Sequence, residues 1–500
     1  MKILLVNPPL PTDWYNNEFY LPLSLLYLGA GLRKNGHAVE IFDMKVLDRP
    51  DATEAHAYYE SAFWERINGF NPDLIGIGCL FSGNFPDVQR LAASCKREFP
   101  QIPIAAGGIH FTIYAQEILN NCPAIDWILL GEAEESFVQL VDAIENRQPN
   151  LQVIDGLAYR RGREVVVQSK TRFIADVDQI PFPAYDLVNL EDYYVDTSAW
   201  HNPKGLPINT SIPIISSRSC PHQCTFCSMY RVMGPKWRAR SAQNVVEEIE
   251  YLYHTYQHRH FSFMDDNLTL SRRRTLEICR LIRERNLNIQ FETPNGLSLK
   301  SLDEEVIDAL VDAGMVRTYL AIESGSDYIR NQVMRKNVDR EQIYNVVNWM
   351  RKHPQLYINA FFIIGMPEET GETLEANFQM IRELDVDKVH IHNIVPFPST
   401  KVYDQALSDG ILMDIVPDEL YRAGHLYFKN RDCFFIKPYR LDVQALHDFR
   451  QKVEDYLRQR APRATGRQQG KGTAATFAEP TNQAPYCSHP GAEKGIQDHV

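Results

Sequence analysis

Short runs that are apolar at almost every position alternate with longer stretches in which apolar residues recur every three or four places. Lys2-Ile3-Leu4-Leu5-Val6 is the first such run, and Asn7-Pro8-Pro9 stops it. Residues 23–34 then carry a helical period that Asn35-Gly36 closes. The alternation returns with apolar runs at residues 39–43, 74–78, 102–106 and 127–130. Strands apolar on both faces belong in a sheet covered on both sides, so residues 1–145 are predicted to form a doubly wound α/β domain with parallel strands.

The pattern changes after that. Residues 156–167 hold two β-rich runs around a glycine-containing turn and read as a hairpin, and Ile180-Pro181-Phe182-Pro183-Ala184-Tyr185 is an extended segment stiffened by proline. Residues 146–205 are therefore expected to link the first domain to a second. Strand-like runs at 212–215, 260–264, 289–292, 317–322, 358–364 and 388–392 alternate with helical stretches, making six βα units within residues 206–405. Residues 406–460 form a small helical extension, with an amphipathic helix at 441–458. Its aromatic residues Tyr421, Tyr427, Phe428, Phe434 and Phe435 are expected either to cover the mouth of the second domain or to pack beneath it. Residues 461–500 are rich in Gly, Gln, Thr, Ala and Pro without a period, a composition that predicts disorder.

A chain of 500 residues, 44% hydrophobic and 23% charged, can build two or three domains with sizeable cores. Its formal charge of -12 argues against a nucleic-acid partner, because phosphate binding wants clustered Lys and Arg, and the basic stretches at 236–240 and 272–274 are isolated. No apolar run reaches bilayer length and no signal-peptide pattern precedes the first strand, so a cytoplasmic location is expected.

Three of the nine cysteines fall in one short loop, Ser219-Cys220-Pro221-His222-Gln223-Cys224-Thr225-Phe226-Cys227, directly after the run at 212–215. Thiolates at CxxxCxxC spacing can wrap one face of a four-iron cluster, which leaves one iron open to a substrate or cosubstrate. A zinc knuckle would want a fourth Cys or His at similar spacing, and His222 would have to bend back between two ligands. Disulfides want an oxidising compartment and usually an even count. With Phe226 immediately before the last cysteine, the loop resembles that of the radical S-adenosylmethionine (SAM) superfamily. The resemblance implies a partial (β/α)6 barrel over residues 206–405 and a 4Fe-4S cluster on Cys220, Cys224 and Cys227. It implies an open iron that chelates the amino and carboxylate groups of SAM, and one-electron cleavage of SAM to methionine and a 5′-deoxyadenosyl radical. It also implies an electron donor such as flavodoxin or ferredoxin.

Active sites of parallel barrels lie at the C-terminal ends of the strands. The loops there are Asp265-Asp266-Asn267, Pro294-Asn295-Gly296, Glu323-Ser324-Gly325-Ser326, Gly365-Met366-Pro367-Glu368-Glu369 and Val395-Pro396-Phe397-Pro398. SAM presents an amine, a sulfonium, a carboxylate and a ribose diol. Asp265 and Asp266 suit the amine, Glu323 and Ser324 the ribose or methionine polar atoms, and Arg335 the carboxylate. Gly365 permits close approach of the adenine, and Phe226 and Pro396 complete the expected SAM-binding set. The competing reading of each acid, taken singly, is a helix N-cap.

In the first domain the loops beyond the strands carry Pro8-Pro9, Ser82-Gly83, Gly107-Gly108-Ile109-His110 and Gly131-Glu132. Glycine there lets the backbone approach a flat ligand, although the same residues also serve tight βα turns. Upstream of the cysteine loop, this order resembles the flavodoxin-like cobalamin-binding domain of cobalamin-dependent radical SAM enzymes. That group includes the class B methyltransferases and the anaerobic magnesium-protoporphyrin ester cyclase. The resemblance implies cobalamin against Pro8, Pro9, Ser82, Gly83, Gly107, Gly108, His110, Gly131 and Glu132. No Asp-x-His-x-x-Gly motif follows the first strand, so no histidine is expected on the lower face of cobalt, and His110 is expected at the corrin edge or the phosphate side.

The expected activity is methylation of an unactivated carbon in a small-molecule, lipid or tetrapyrrole-type metabolite. Two alternatives stay open: an oxidative cyclase that uses the same cofactors without methyl transfer, and a non-catalytic corrinoid or SAM sensor. An RNA methylthiotransferase would need a second cysteine triad near the N-terminus, where Cys79, Cys95 and Cys122 are scattered. A peptide-modifying enzyme with auxiliary clusters is disfavoured because only Cys433 and Cys487 lie beyond the barrel.

Overall fold

Two mainly parallel sheets organise the computed structural model, which describes residues 1–9, 20–48, 54–80, 82–147, 150–194, 200–423 and 433–460. In the first sheet β1 (Lys2–Asn7), β2 (Ala38–Asp43), β3 (Leu74–Gly78), β4 (Ile104–Gly107) and β5 (Trp127–Leu129) run parallel in the order β2-β1-β3-β4-β5. Helices α1 (Leu23–Lys34), α2 (Ala55–Phe70), α3 (Phe85–Glu98), α4 (Ile109–Asn121) and α5 (Glu134–Glu145) connect them. Ile3, Leu4, Leu5 and Val6 are all fully buried, as a strand covered on both faces requires. This is the flavodoxin-like order, and it reverses direction at β1 and β3, so the loops after those two strands part and leave a crevice.

The expected hairpin is present as β6 (Leu157–Arg161) and β7 (Glu164–Val167), but it continues the first sheet instead of linking two domains. Tyr159 pairs antiparallel with Trp127, and the free edge of β5 is thereby covered. The expectation of a linker from residue 146 is corrected to that extent.

The second sheet is built from β8 (Ile212–Ile214) and, beyond a short antiparallel pair β9 (Ser217–Arg218) and β10 (Arg238–Ala239), from five further strands. These are β11 (His260–Phe263), β12 (Gln290–Leu297), β13 (Met315–Glu323), β14 (Tyr357–Ile364) and β15 (Lys388–Asn393). Every pairing is parallel and between successive strands of this sheet, which gives a partial (β/α) barrel open between β8 and β15. A one-turn helix, α6 (Met229–Val232), lies in the segment between β9 and β10 and faces the first module, and the barrel's outer layer includes α7 (Ala242–Thr255), α8 (Arg272–Glu284), α9 (Glu304–Ala313), α10 (Arg340–Met350) and α11 (Gly371–Glu383). Leu320, Ile322, Ile358, Ala360, Phe362 and Ile364 are fully buried on the helix-covered face; each large side chain stabilises by about 2 kcal/mol. Pro294-Asn295-Gly296, expected as a loop, lies inside β12, where the register with β13 slips between Thr293 and Leu297.

After α12 (Lys401–Ser408) and α13 (Leu420–Ala423), α14 (Val443–Gln459) packs Leu446, Phe449 and Val453 into the barrel core. Phe434 enters that core, and Phe435 joins Leu420 and Tyr403 in the core of the first module. Both side chains are buried, and Phe434 lies against Gly365 at the C-terminal end of β14. Tyr427, Phe428 and residues 461–500 lie outside the described residues. Among the described residues no helix is long and apolar enough to cross a membrane.

Candidate active site

The cysteine loop is held at both ends before its thiols are placed. Pairing of β9 with β10 sets Arg218 opposite Arg238 and brings the ends of the intervening segment together. Ser219 takes a left-handed conformation (φ 69°) and its hydroxyl donates to the Gly234 carbonyl. Further along, Thr225 donates its N–H to the Met334 carbonyl at 3.2 Å and its hydroxyl to the Val333 carbonyl at 3.0 Å. Phe226 packs with Met334, Met366, Ile394 and Val402. Cys220, Cys224 and Cys227 remain half-buried free thiols. The Asn267 amide donates to Cys220 Sγ at 3.6 Å. Burial pushes the Cys224 thiol up and the Cys227 thiol up to about 12, a penalty that a cationic cluster would offset. Three free thiols in one braced loop fit a cluster that needs three thiolates.

The expected SAM residues separate into those that face the thiols and those that hold the loops. Asp266 lies close enough to Cys227 for their charges to interact, and burial together with Asp265 raises its carboxyl to about 6. Asp265 itself is consumed by the loop after β8, accepting from Ser216 N at 3.2 Å, Ser216 Oγ at 2.7 Å and Ser217 Oγ at 2.5 Å. Glu323, left-handed at φ 68°, accepts from Lys336 Nζ at 3.1 Å. Burial opposes the charge on Lys336, but Glu323 and the Cys224 thiol outweigh it and hold the lysine above its ordinary value. Arg335, the cation expected from sequence, is exposed on a left-handed turn (φ 59°), and its neighbour Lys336 takes the inward position.

Ser324 is fully buried, and its hydroxyl donates to Asn377 Oδ1 at 2.9 Å, the same oxygen that receives Gly325 N–H at 2.5 Å. Its part is internal bracing. Gly365 (φ 93°) donates its N–H to Glu369 Oε2 at 2.5 Å, and Pro396 is buried beyond β15. Burial raises the Glu369 carboxyl to about 7.

In the first module, Pro8, Pro9 and Gly83 are buried within the loops at the crevice and Ser82, Gly107 and Gly108 are half-buried in them, and Asn84 Nδ2 bonds the Pro9 carbonyl at 2.8 Å. Leu80 is 55% exposed there, an apolar side chain beside half-buried Ser82, Gly107 and Gly108, which fits a broad flat ligand held by shape. At Gly108 (φ 112°) a Cβ would overlap the Cys79 carbonyl, so glycine is required there.

Three other expected contacts have other partners. His110 is fully buried, with Nδ1 2.9 Å from Ser82 Oγ and its ring 4.6 Å from Phe85 and 4.9 Å from Tyr114, so it serves the core and not a corrin edge. Burial pushes it down to about 3 and keeps it neutral. Gly131 faces the barrel, where a Cβ would meet the Val232 carbonyl at 2.9 Å. Glu132 accepts from Arg238 Nη1 at 2.7 Å on each oxygen and lies 3.3 Å from Arg218 Nη1. With Glu134 at 2.5 Å from Arg218, it ties the first module to the base of the cysteine loop.

Residues 214–381 match the radical SAM superfamily and residues 18–141 the B12 binding domain. An uncharacterized methyltransferase of Pyrococcus horikoshii is 30% identical over 83% of this chain and 84% of its own length. The chain belongs to the B12-binding radical SAM enzymes. Cytidylyl-2-hydroxyethylphosphonate methyltransferase of Streptomyces wedmorensis is 26% identical over 85% of this chain and 84% of its own. The radical SAM methyltransferase TsrM of Kitasatospora setae, solved with cobalamin and a [4Fe-4S] cluster, shares the fold at a TM-score of 0.65 and 19% identity. That match covers 83% of this chain and 76% of that one.

In this B12-binding radical SAM enzyme, sequence reasoning passed over Lys336, Asn267, Glu369 and the Arg218–Glu132–Arg238 junction. Asn267 and Glu369 stand inside the strand-end motifs of the barrel, and Lys336 is adjacent to the arginine chosen in its place. The junction has no local signal, because its partners are about a hundred residues apart in sequence.

Proposed function

We propose that this enzyme is a cobalamin-dependent radical SAM methyltransferase that methylates an unactivated carbon of a small molecule. The observation that carries the reading is the set of three free thiols in one braced loop beside Asp266, Glu323 and Lys336. When bound, a 4Fe-4S cluster would supply the electron that cleaves SAM, and cobalamin would carry the methyl group. Cys220, Cys224 and Cys227 hold the cluster, and the Asn267 amide steadies one sulfur. Asp266 takes the SAM amine, Glu323 the ribose, and Lys336 the carboxylate, with Gly365 and Pro396 beside the adenine. Pro8, Pro9, Ser82, Gly83, Gly107 and Gly108 would frame the cobalamin site, and exposed Leu80 would supply apolar surface to it. The ion pairs of Glu132 and Glu134 with Arg218 and Arg238 fix the distance between the two cofactor sites. Reduced thiols and an oxygen-sensitive cluster suit the cytoplasm, with flavodoxin or ferredoxin as donor.

The test is an anaerobic reaction of the loaded enzyme with reductant, methyl-labelled SAM and a metabolite extract from its source cells. Formation of 5′-deoxyadenosine, S-adenosylhomocysteine and a labelled product is expected. Formation of 5′-deoxyadenosine alone sinks methyl transfer in favour of oxidative chemistry, and the absence of both nucleosides sinks the enzyme reading.

A further inference from the structure

The inner faces of β13, β14 and β15 carry a continuous aromatic surface that neither the cluster loop nor the SAM residues use. Tyr319 and Phe361 stack at 5.0 Å with 19° between their planes. Phe361 is 5.5 Å from both His390 and His392, and those two imidazoles are parallel to within 1°. The alternate residues of the same strands are buried under helices, so this face looks into the barrel. Yet Phe361 and His390 are only half-buried and His392 is exposed, so their ring surface is open to a ligand.

The chain closes the opposite end of the barrel. Trp200 packs 5.3 Å from His260, His201 lies 5.4 Å from Tyr357, and Lys204 Nζ bonds the Ile289 carbonyl at 2.8 Å. A ligand on the aromatic surface therefore enters from the strand ends, where His392 lies within reach of the Glu323 charge.

The hydrogen bonding of His390 adds a direction. Asn359 gives its amide N–H to the Thr318 carbonyl at 3.1 Å and so turns Oδ1 toward His390 Nε2, 3.1 Å away. Nε2 must then carry the proton, and Nδ1 is left as an acceptor. Burial pushes His390 down to about 4, so the ring is neutral and stacks without charge.

We propose, building on the radical SAM reading, that this surface is the substrate shelf: a flat conjugated ring bearing an O–H or N–H donor lies against Phe361 and His392 and donates to Nδ1 of His390. A saturated substrate of the same shape would keep the gain from burial but lose the ring-on-ring stacking.

Equilibrium dialysis of the anaerobic, cofactor-loaded enzyme tests this with three matched probes: 2-naphthol, its saturated analogue decahydro-2-naphthol, and 2-methoxynaphthalene. We expect 2-naphthol to bind about tenfold more tightly than the saturated alcohol. Phe361→Leu keeps an apolar side chain and removes the ring, and should shrink that preference about three- to tenfold. His390→Phe keeps a ring and removes the acceptor, and should abolish the preference for 2-naphthol over the methyl ether. Equal binding of naphthol and its saturated analogue, binding of neither, or preferences that survive both substitutions overturn the shelf. SAM cleavage by the same wild-type preparation reads the radical chemistry separately, so a preparation that cleaves SAM without any ring preference refutes the shelf alone.

Discussion

The strand ends of the barrel and those of the first module are built on opposite plans. In the barrel, polar side chains brace one another: Asp265 is taken by Ser216 and Ser217, Ser324 by Asn377, and Glu369 by the backbone of Gly365. What is left around the cysteine loop is a small set of groups with fixed positions, the thiols, Asp266, Glu323 and Lys336. In the first module the loops carry proline, glycine and one exposed leucine, while His110 is buried in the core and Glu132 is paired across to the barrel. A small, multiply charged cosubstrate needs preorganised donors and acceptors. A broad ring system needs room and apolar surface. The barrel loops are therefore expected to fail sharply when altered, and the first module's loops by degrees.

Cys224→Ala should have the largest effect, loss of all detectable 5′-deoxyadenosine formation together with loss of the cluster's visible absorbance. Retention of both would break the contrast at its barrel end. Next comes the junction that joins the two plans. Glu132→Ala leaves Arg238 and Arg218 short of a buried partner and should lower stability by about 3–5 kcal/mol in urea unfolding. A change under about 1 kcal/mol would show that the modules dock without it.

The bracing beneath the SAM loops can be read through pH. The folded Glu369 carboxyl lies near 7 instead of 4.5, so its ionisation is opposed in the folded state. Its contribution to stability is full below about pH 4.5 and is lost as pH rises through about 7, a loss of about 3 kcal/mol. Glu369→Gln should flatten the stability profile between about pH 4 and pH 8 by that amount; parallel profiles for the two proteins would refute it. The mildest effect is expected in the first module. Gly108→Ala meets the Cys79 carbonyl and a left-handed backbone, and should cost about 2 kcal/mol while reducing bound corrinoid without abolishing SAM cleavage. An unchanged corrinoid content would remove Gly108 from the cradle.

Both sheets were legible in the sequence because the inner strands of the first sheet are apolar at almost every position, those of the barrel on the helix-covered face, and their helices are periodic. Residues 23–34 match α1, and all six barrel strands stand where the apolar runs are. The hairpin was legible as a hairpin, but not its attachment to β5, since edge pairing is decided by what else competes for that edge. The cysteine loop was legible because its chemistry is local. Arg335 and Lys336 show the limit of such reading: a single left-handed turn decides which of two adjacent cations faces inward, and nothing in their order reveals it. His110 fails similarly, because a histidine in a glycine-rich loop reads as a ligand contact until Phe85 and Tyr114 are seen around it.

The claim that the two plans serve one reaction is tested most directly by purifying the protein anaerobically from cells supplied with cobalamin and recording its visible spectrum with iron and cobalt content. Cobalamin-dependent methyl transfer predicts corrinoid bands and near-equal amounts of cobalt and four-iron cluster on each chain. A cluster-loaded protein without corrinoid would contradict it.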